Sequence, residues 1–346
     1  MKIPFCGFTG GKLSELQAME GVPPDLILRA ISSFYRRRIH DFNQMRELPK
    51  SFRNQLNTFF ESGLTLPVNS VESSDHSIKY LFFTSGRAYE TVFIPGTKRR
   101  TVCISTQSGC RMGCPFCVTG KSGFSGNLSA GEIINQVISM PASRTLTHVV
   151  FMGMGEPLDN PDEVLTACRI LTSSWGLAIS PAHITVSTVG ITPGVERFLT
   201  ESHCNLTLSL FSPYPDERAR AIPAERVYPA EEIIRMMKYY PDIKKRRFSI
   251  AYLMMNGIND TDRHLEGLVK LLEGSRIRVN LLPFHSTGGE ELRASSPARL
   301  EYFRQNLLQK GISASVRKSR GVDISAACGM LAADSRTPGL LYARPD

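Results

Sequence analysis

Only eight cysteines occur in 346 residues, too few and too unevenly placed for a disulfide framework. The chain opens Met1-Lys2-Ile3-Pro4 without the charged, apolar and small-residue succession of a secretory leader, so a reducing compartment is expected. No histidine lies between His76 and His148, and thiols in that interval therefore have no imidazole at short spacing to complete a tetrahedral zinc site. Long apolar runs are missing too. None reaches the roughly 20 residues that a membrane-spanning helix needs, which leads to the expectation of a soluble, cytoplasmic chain with no membrane partner.

Hydrophobic residues make up 42% of the chain, enough for a sizeable core and one large domain beside a small one. The formal charge is +9, which favours a polyanionic partner such as nucleic acid. Residues 1–85 carry ten Lys/Arg against eight Asp/Glu, so most of the excess lies beyond them. Basic runs stand at Arg36-Arg37-Arg38, Lys98-Arg99-Arg100, Lys244-Lys245-Arg246-Arg247 and Arg317-Lys318-Ser319-Arg320. A run of this kind is more often a solvated face than a binding site.

The eight cysteines include Cys110, Cys114 and Cys117 in a CxxxCxxC run, Gly109-Cys110-Arg111-Met112-Gly113-Cys114-Pro115-Phe116-Cys117. A [4Fe–4S] cluster normally takes four cysteines, so a three-cysteine loop leaves one iron open. That iron can bind the amino and carboxylate groups of S-adenosylmethionine, and electron transfer to the sulfonium then gives a carbon radical that side chains cannot supply. The run is the radical S-adenosylmethionine signature.

From Thr101 onward the chain alternates apolar β-branched runs with amphipathic stretches. Strands are expected at 101–105, 148–152, 183–188, 205–210, 248–254 and 278–284, nearly continuous in apolar character, as parallel strands covered by helices should be. Ser129 with Glu132 reads as a capping box, while Asn160-Pro161, Thr192-Pro193 and Ser296-Pro297 each place a cap residue before a first-turn proline. Six strand-helix units predict an α/β fold, a partial (β/α)6 TIM-type barrel with its chemistry at the carboxyl ends of the strands. Residues 1–85 carry helical patterns around Leu26, Ile27, Ala30, Ile31 and Phe34, then Phe52, Leu56 and Phe59, with a break at Leu48-Pro49-Lys50. They read as a small N-terminal helical accessory domain, 86–333 as the barrel with a C-terminal cysteine segment, and 334–346 as a tail. The stretch from Leu81 to Pro95 is strand-like and leads into the barrel.

Beside the cysteine loop, Gly153-Met154-Gly155-Glu156-Pro157 follows the second strand. Its glycines let the backbone approach a ligand closely, and the Glu156 carboxylate can hold a methionyl ammonium. Ser187 and Ser209, at the ends of the third and fourth strands, are polar positions on the same rim. Cys103 precedes the loop and Cys328 lies near the C-terminus, whereas Cys168 falls on an apolar helix face and reads as a small buried hydrophobe. Cys6 and Cys204 have no motif around them.

Cys103 with Cys110, Cys114 and Cys117, the Gly153–Pro157 turn, and Asp323-Ile324 through Ala326-Ala327-Cys328-Gly329 together resemble the RlmN/Cfr family of radical S-adenosylmethionine adenosine methyltransferases. The resemblance runs from about Glu90 to Met330 and extends to the helical accessory module. It implies methylation of C2 of adenosine 2503 in 23S rRNA, and in many members of an anticodon-loop adenosine in tRNA. It also implies two S-adenosylmethionines per turnover, a [4Fe–4S] cluster and a reducing electron donor such as flavodoxin. In this family the first methyl goes to Cys328, hydrogen is taken from it, and the carbon adds to the adenine. Cys103 then frees the product, leaving a transient Cys103–Cys328 disulfide, and Glu90 matches the proton acceptor. A family relative with C8 specificity uses the same cysteines, and a catalytically silent RNA-binding protein with a structural cluster would need only the three loop thiols. Cofactor contacts are carried over to Gly155, Glu156, Ser187, Ser209, Leu210, Phe211 and His285. Two of these depart from the family pattern: Phe211 stands where histidine is usual, and His285 where asparagine is common.

Overall fold

The computed structural model describes residues 2–16, 19–241, 246–286 and 292–332. Strands β1 (Ile3–Pro4) and β2 (Phe60–Glu61) pair in parallel and bracket three N-terminal helices, the longest Pro24–Tyr35 and Lys50–Phe59. These helices match the expected patterns, with Ile27, Ala30, Ile31, Phe34, Phe52 and Leu56 buried. Phe59 is the exception, 42% exposed, because the helix ends there and the neighbouring Phe60 turns inward as strand.

Next come β3 (Asn69–Glu72), β4 (Ile78–Thr84), β5 (Arg87–Ile94), β6 (Thr101–Ile104), and a small antiparallel ribbon of β7 (Gln107–Gly109) with β8 (Phe124–Asn127). Then β9 (His148–Phe151), β10 (Ile184–Thr188), β11 (Asn205–Ser209), β12 (Phe248–Met254), β13 (Arg278–Pro283) and β14 (Ala314–Val316) follow, separated by helices. One sheet of ten strands results, in the order β14-β13-β12-β11-β10-β9-β6-β5-β4-β3. Pairing is parallel from β6 through β14 and antiparallel from β5 to β3. All six expected strands are present, so the open α/β barrel stands as read. The seventh parallel strand, β14, was not expected, since Ala314-Ser315-Val316 is too short and polar to register as an apolar run.

The stretch from Leu81 to Pro95 is corrected from one strand to a hairpin. Ser85 (φ 50°) and Gly86 (φ 75°) both adopt left-handed backbone between β4 and β5, as a two-residue hairpin turn requires. The expected domain boundary at 85/86 therefore falls inside that turn, and β3 and β4 belong to the sheet. The N-terminal helices share the main core, which runs unbroken from Phe5, Phe34 and Phe60 to Ile133 and Val137. Contact is intimate there: a Cβ on Gly7 would lie 2.5 Å from the Gly131 nitrogen. The tail 334–346 lies outside the described residues.

Along the barrel strands the residues alternate. Val102 and Ile104, Val149 and Phe151, Ile250 and Tyr252 are buried towards the helices, while Cys103, His148, Ser187, Ser209 and Arg278 fall on the concave face. The capping box at Ser129 and Glu132 forms as expected, and Ser296 caps its helix through the Arg299 N–H at 3.1 Å. Asn160 does something else. Its amide donates to the Thr106 and Leu128 carbonyls at 3.1 and 2.8 Å, stitching loops instead of capping. Thr192 makes no side-chain cap either, since the helix already begins at that residue.

Candidate active site

A cleft of about 1170 Å³, counting its open mouth, lies at the carboxyl ends of the barrel strands. Cys110, Cys114, Cys117, Gly155, Glu156, Ser187, Ser209, Phe211, His285 and Cys328 all line it, as do Phe116 and Thr119.

The cysteine loop leaves β7 at Gly109, whose φ of 75° and closeness to the Gly123 carbonyl leave no room for a side chain. Gly113 turns left-handed as well, and Cys117 donates its N–H to the Cys114 carbonyl at 3.1 Å. Gly120 packs under the loop, where a Cβ would stand 3.1 Å from the Cys114 oxygen. Burial, with the charges of Glu156 and the neighbouring thiols, pushes the Cys110 and Cys114 thiols up to about 12. Such thiols ionise only against a cationic centre. Among the described residues no three His, Cys, Asp or Glu side chains converge on a single metal ion. Three thiols opening onto one cleft suit instead the wider footprint of an iron–sulfur cluster, with the residues around them leaving space for a ligand on the fourth iron.

Glu156 is buried and accepts three hydrogen bonds, from Leu158 N–H (2.9 Å), Thr188 Oγ1 (2.6 Å) and Val189 N–H (2.8 Å). Burial raises its carboxyl to about 7 despite these donors. The three donors aim its oxygens, so it welds β10 to the glycine turn and keeps limited acceptor capacity for a ligand's ammonium. The glycines have a second role beside ligand approach: a Cβ on Gly153 would meet Ser105 Oγ at 2.6 Å and one on Gly155 would meet the Gln107 side chain at 2.5 Å. Here the missing side chains admit the end of β6.

Phe211 stacks on Phe116 of the cysteine loop, with centroids 5.4 Å apart and planes 8° from parallel. Its backbone is left-handed at φ 64°, a strained state for a large residue, and the buried Asn259 amide holds its carbonyl at 2.8 Å. His285 meets Ser319, and burial lowers its pKa, which keeps the ring neutral. Leu210 is corrected: its side chain is 1% exposed and sits in the main core, away from the cleft. Alternation explains it, since Ser209 and Phe211 are the cleft-facing neighbours.

Cys103 and Cys328 are free thiols close enough that the charge of one raises the other, and Cys117 acts on Cys328 in the same way. Burial is the larger cause for both, although Cys328 stays open to solvent along the cleft. Glu90 does not line the cleft. It is buried on β5, paired with Lys79 at 3.1 Å, and its other oxygen accepts the Ala332 N–H at 2.9 Å. Because Val92 lies opposite Cys103 in the register, Glu90 projects from the same sheet face as Cys103.

Sequence reasoning missed how the Cys328 segment is held. Asp323 accepts from Ser73 Oγ and from the Ser74 N–H at 2.9 Å, and Asp75 accepts the Gly321 N–H at 3.0 Å. On the other side the Val118 N–H reaches the Gly329 carbonyl at 2.8 Å, and Thr119 Oγ1 the Leu331 carbonyl at 2.7 Å. Partial burial alone would raise Asp75, yet hydrogen bonds from Ser77, Gly321 and Ser73 hold its carboxyl down at about 2. The latch therefore holds above the ordinary carboxylate range and loosens as pH falls towards 2. Asp75→Ala or Asp323→Ala should speed alkylation of Cys328 by about five-fold, the equivalent of roughly 1 kcal/mol per hydrogen bond lost. Mass-resolved labelling against Cys6 as a buried internal standard reads this, and equal rates in variant and wild type would deny the latch.

Arg218 was also missed. It is 1% exposed, pairs with Glu225, and donates to the Leu210 and Ser209 carbonyls at 3.0 Å each, clamping the end of β11. In sequence it looks like any charge on a short polar helix.

The Radical SAM superfamily model matches residues 104–272. A relative named "Probable dual-specificity RNA methyltransferase RlmN" from Parabacteroides distasonis is 44% identical over 94% of this chain and 95% of its own. A second, "Dual-specificity RNA methyltransferase RlmN" from Syntrophobacter fumaroxidans, is 40% identical over 87% of this chain and 89% of its own. The crystal structure of a radical SAM methyltransferase from Sphaerobacter thermophilus superposes with a TM-score of 0.86 at 38% identity, covering 95% of this chain and 99% of that one. No helix among the described residues is long and apolar enough to cross a membrane. With its three-thiol loop, glycine turn and Cys328 in one cleft, the chain belongs to the RlmN family of radical S-adenosylmethionine RNA methyltransferases, enzymes that use a [4Fe–4S] cluster and S-adenosylmethionine.

Proposed function

We propose that this enzyme methylates C2 of adenosine 2503 in 23S rRNA, and an anticodon-loop adenosine in tRNA, through a methylated Cys328. One observation carries the reading: Cys328, from the far end of the barrel sequence, lines the cleft that the three loop thiols open onto, and Cys103 on β6 lies close enough to feel its charge. An adenine ring carbon is electron-poor and does not attack a sulfonium methyl, so an ordinary transferase would have no use for either thiol.

Cys110, Cys114 and Cys117 would hold the cluster, and Glu156, Ser187, Ser209, Phe211 and His285 the S-adenosylmethionine beside it. When bound, these groups supply an electron and a carbon radical able to abstract hydrogen. Cys328 accepts the first methyl on its sulfur, gives up one hydrogen from it, and joins the adenine through the remaining carbon, with the odd electron this leaves on the ring passing back to the bound redox group. Glu90, on the Cys103 face of the sheet, takes the adenine proton once the Ala332 contact lets a water or the ring approach. The Cys103 thiolate then attacks the Cys328 sulfur, so that the C–S bond breaks onto the carbon, which takes up a proton to complete the methyl, and a disulfide is left that a cytoplasmic reductant reopens. Flavodoxin is a suitable electron donor.

The choice of C2 over C8 is tested by isotope. RNA deuterated at C2 should lose that label in the methylated nucleoside, and RNA deuterated at C8 should keep its own. Loss confined to C8 would overturn the choice while leaving the thiol chemistry in place.

A further inference from the structure

Three of the basic runs, far apart in sequence, converge on the concave face of the barrel. Arg99 lies two residues before β6, Arg247 immediately precedes β12, and Arg317 immediately follows β14, with Arg278 opening β13. The register aligns them: Ser249, two residues past Arg247, lies opposite Arg278, and Asn280 lies opposite Ser315. Arg317 Nε and Ser315 Oγ both donate to Asn280 Oδ1 at 3.1 Å, which fixes Arg317 over the concave face. Nearby, His148 and His183 stack with centroids 4.4 Å apart.

All four arginines are exposed, and among the described residues no ion pair joins any of them to a carboxylate. They feel one another instead. Burial and then mutual repulsion lower Arg247, which faces Arg278 and Arg99, and lower Arg317, which faces Arg99 and Arg247. His148 is held down by burial, by His183 and by the same two arginines, so it adds no charge of its own. Several other surface arginines of this chain are paired, Arg197 with Asp162 and Glu201, Arg263 with Glu217, Arg299 with Asp262. Like charges gathered without carboxylates are unfavourable until an anion arrives, and guanidinium forks suit phosphate oxygens.

Arg246, by contrast, leaves the patch. It is 5% exposed and packs over Phe198 and Tyr240, while Lys244 and Lys245 lie outside the described residues.

Resting on the RNA methylation reading above, we infer that Arg99, Arg247, Arg278 and Arg317 form a phosphodiester-binding site on the concave face that grips the substrate RNA backbone next to the target nucleotide. The placement fits. Thr101 and Cys103 share the concave face of β6, and at ~3.3 Å per residue Arg99, four residues before Cys103, lies roughly 13 Å from it along the strand. Arg317 also acts on Cys328 by charge. A backbone held there leaves the adenine free to enter the cleft above.

The test uses full-length protein with its cluster reconstituted anaerobically and a fluorescent anticodon stem-loop RNA, with anisotropy measured across a salt series. Arg99→Gln/Arg247→Gln and Arg278→Gln/Arg317→Gln should each weaken binding ten-fold or more. Each should also make the slope of log affinity against log salt shallower by about 1.5, or ~0.7 to 0.9 per phosphate contact. The corresponding lysine doubles should keep most of the slope, because the charge remains. Arg36→Gln/Arg37→Gln should change neither quantity. Glutamine doubles that melt like wild type yet bind with unaltered affinity and slope would overturn the site. If a glutamine double does not fold, single Arg278→Gln and Arg317→Gln are read by the same criterion. Displacement of RNA by micromolar inorganic phosphate would reassign the arginines to a free anion and equally refute the proposal. Methylation of RNA by the wild type is scored separately, so an inactive enzyme with an intact salt slope would count against the methylation reading and not against this site.

Discussion

Replacing Cys328 by alanine should abolish RNA methylation, while replacing Cys103 should leave protein and RNA joined. The difference follows from their positions on one reaction coordinate. In the proposed mechanism Cys328 carries the one-carbon unit, so without its sulfur no methyl would be stored and no bond to adenine would form. In the same proposal Cys103 would act last, attacking the Cys328 sulfur from strand β6, where it lies close enough to feel the Cys328 charge. Cys103→Ala should therefore accumulate an adduct that migrates slowly on denaturing gels and collapses with ribonuclease. Multiple turnover should fall by at least about a thousand-fold, a loss of ~4 kcal/mol in transition-state terms. A Cys103→Ala enzyme that turns over normally, or an adduct-free gel, would remove Cys103 from the mechanism.

The second large effect concerns the loop thiols. Alanine at Cys110, Cys114 or Cys117 should eliminate the brown charge-transfer absorption of anaerobic protein and with it all reductive cleavage of S-adenosylmethionine. Two remaining thiolates are a poor hold for a cubane. The fold should survive, because the loop is anchored by backbone: Cys110 N–H to the Gly123 carbonyl at 2.8 Å and Cys117 N–H to the Cys114 carbonyl at 3.1 Å. Circular dichroism close to wild type, with the absorption gone, is the expected pair of results. Continued formation of 5′-deoxyadenosine by a triple alanine variant would contradict the cluster assignment.

These two predictions draw on features that differ in how they could be read. The six barrel strands were legible because each is covered on its helix face and carries β-branched or aliphatic residues, as in Ile184–Thr188 and Phe248–Met254. Strand β14 was not, since three residues at a sheet edge leave no period to detect. The cysteine loop and glycine turn announce themselves by spacing. The meeting of Cys103 with Cys328 does not, because nothing local in either segment says that the chain returns to β6 after β14; only the family resemblance pointed there. Leu210 shows the converse error: the carried-over span Ser209-Leu210-Phe211 ignores strand alternation, which sends the middle residue into the core. Asp75, Asp323 and Arg218 were invisible because ordinary surface charges acquire meaning only when the fold brings distant carbonyls or N–H groups to them. The convergence of Arg99, Arg247, Arg278 and Arg317 is of the same kind, runs scattered in sequence that register makes into a patch.

The measurement that bears most directly on the central claim follows the methyl group. Protein whose Cys328 carries a fully deuterated methyl is mixed with unlabelled S-adenosylmethionine, reductant and RNA for a single turnover, and the methylated adenosine is weighed by mass spectrometry. If, as proposed, Cys328 holds the carbon and gives up one of its hydrogens before joining the ring, the product methyl should retain two deuterons. Unlabelled product, or a methyl that keeps all three, would contradict the account.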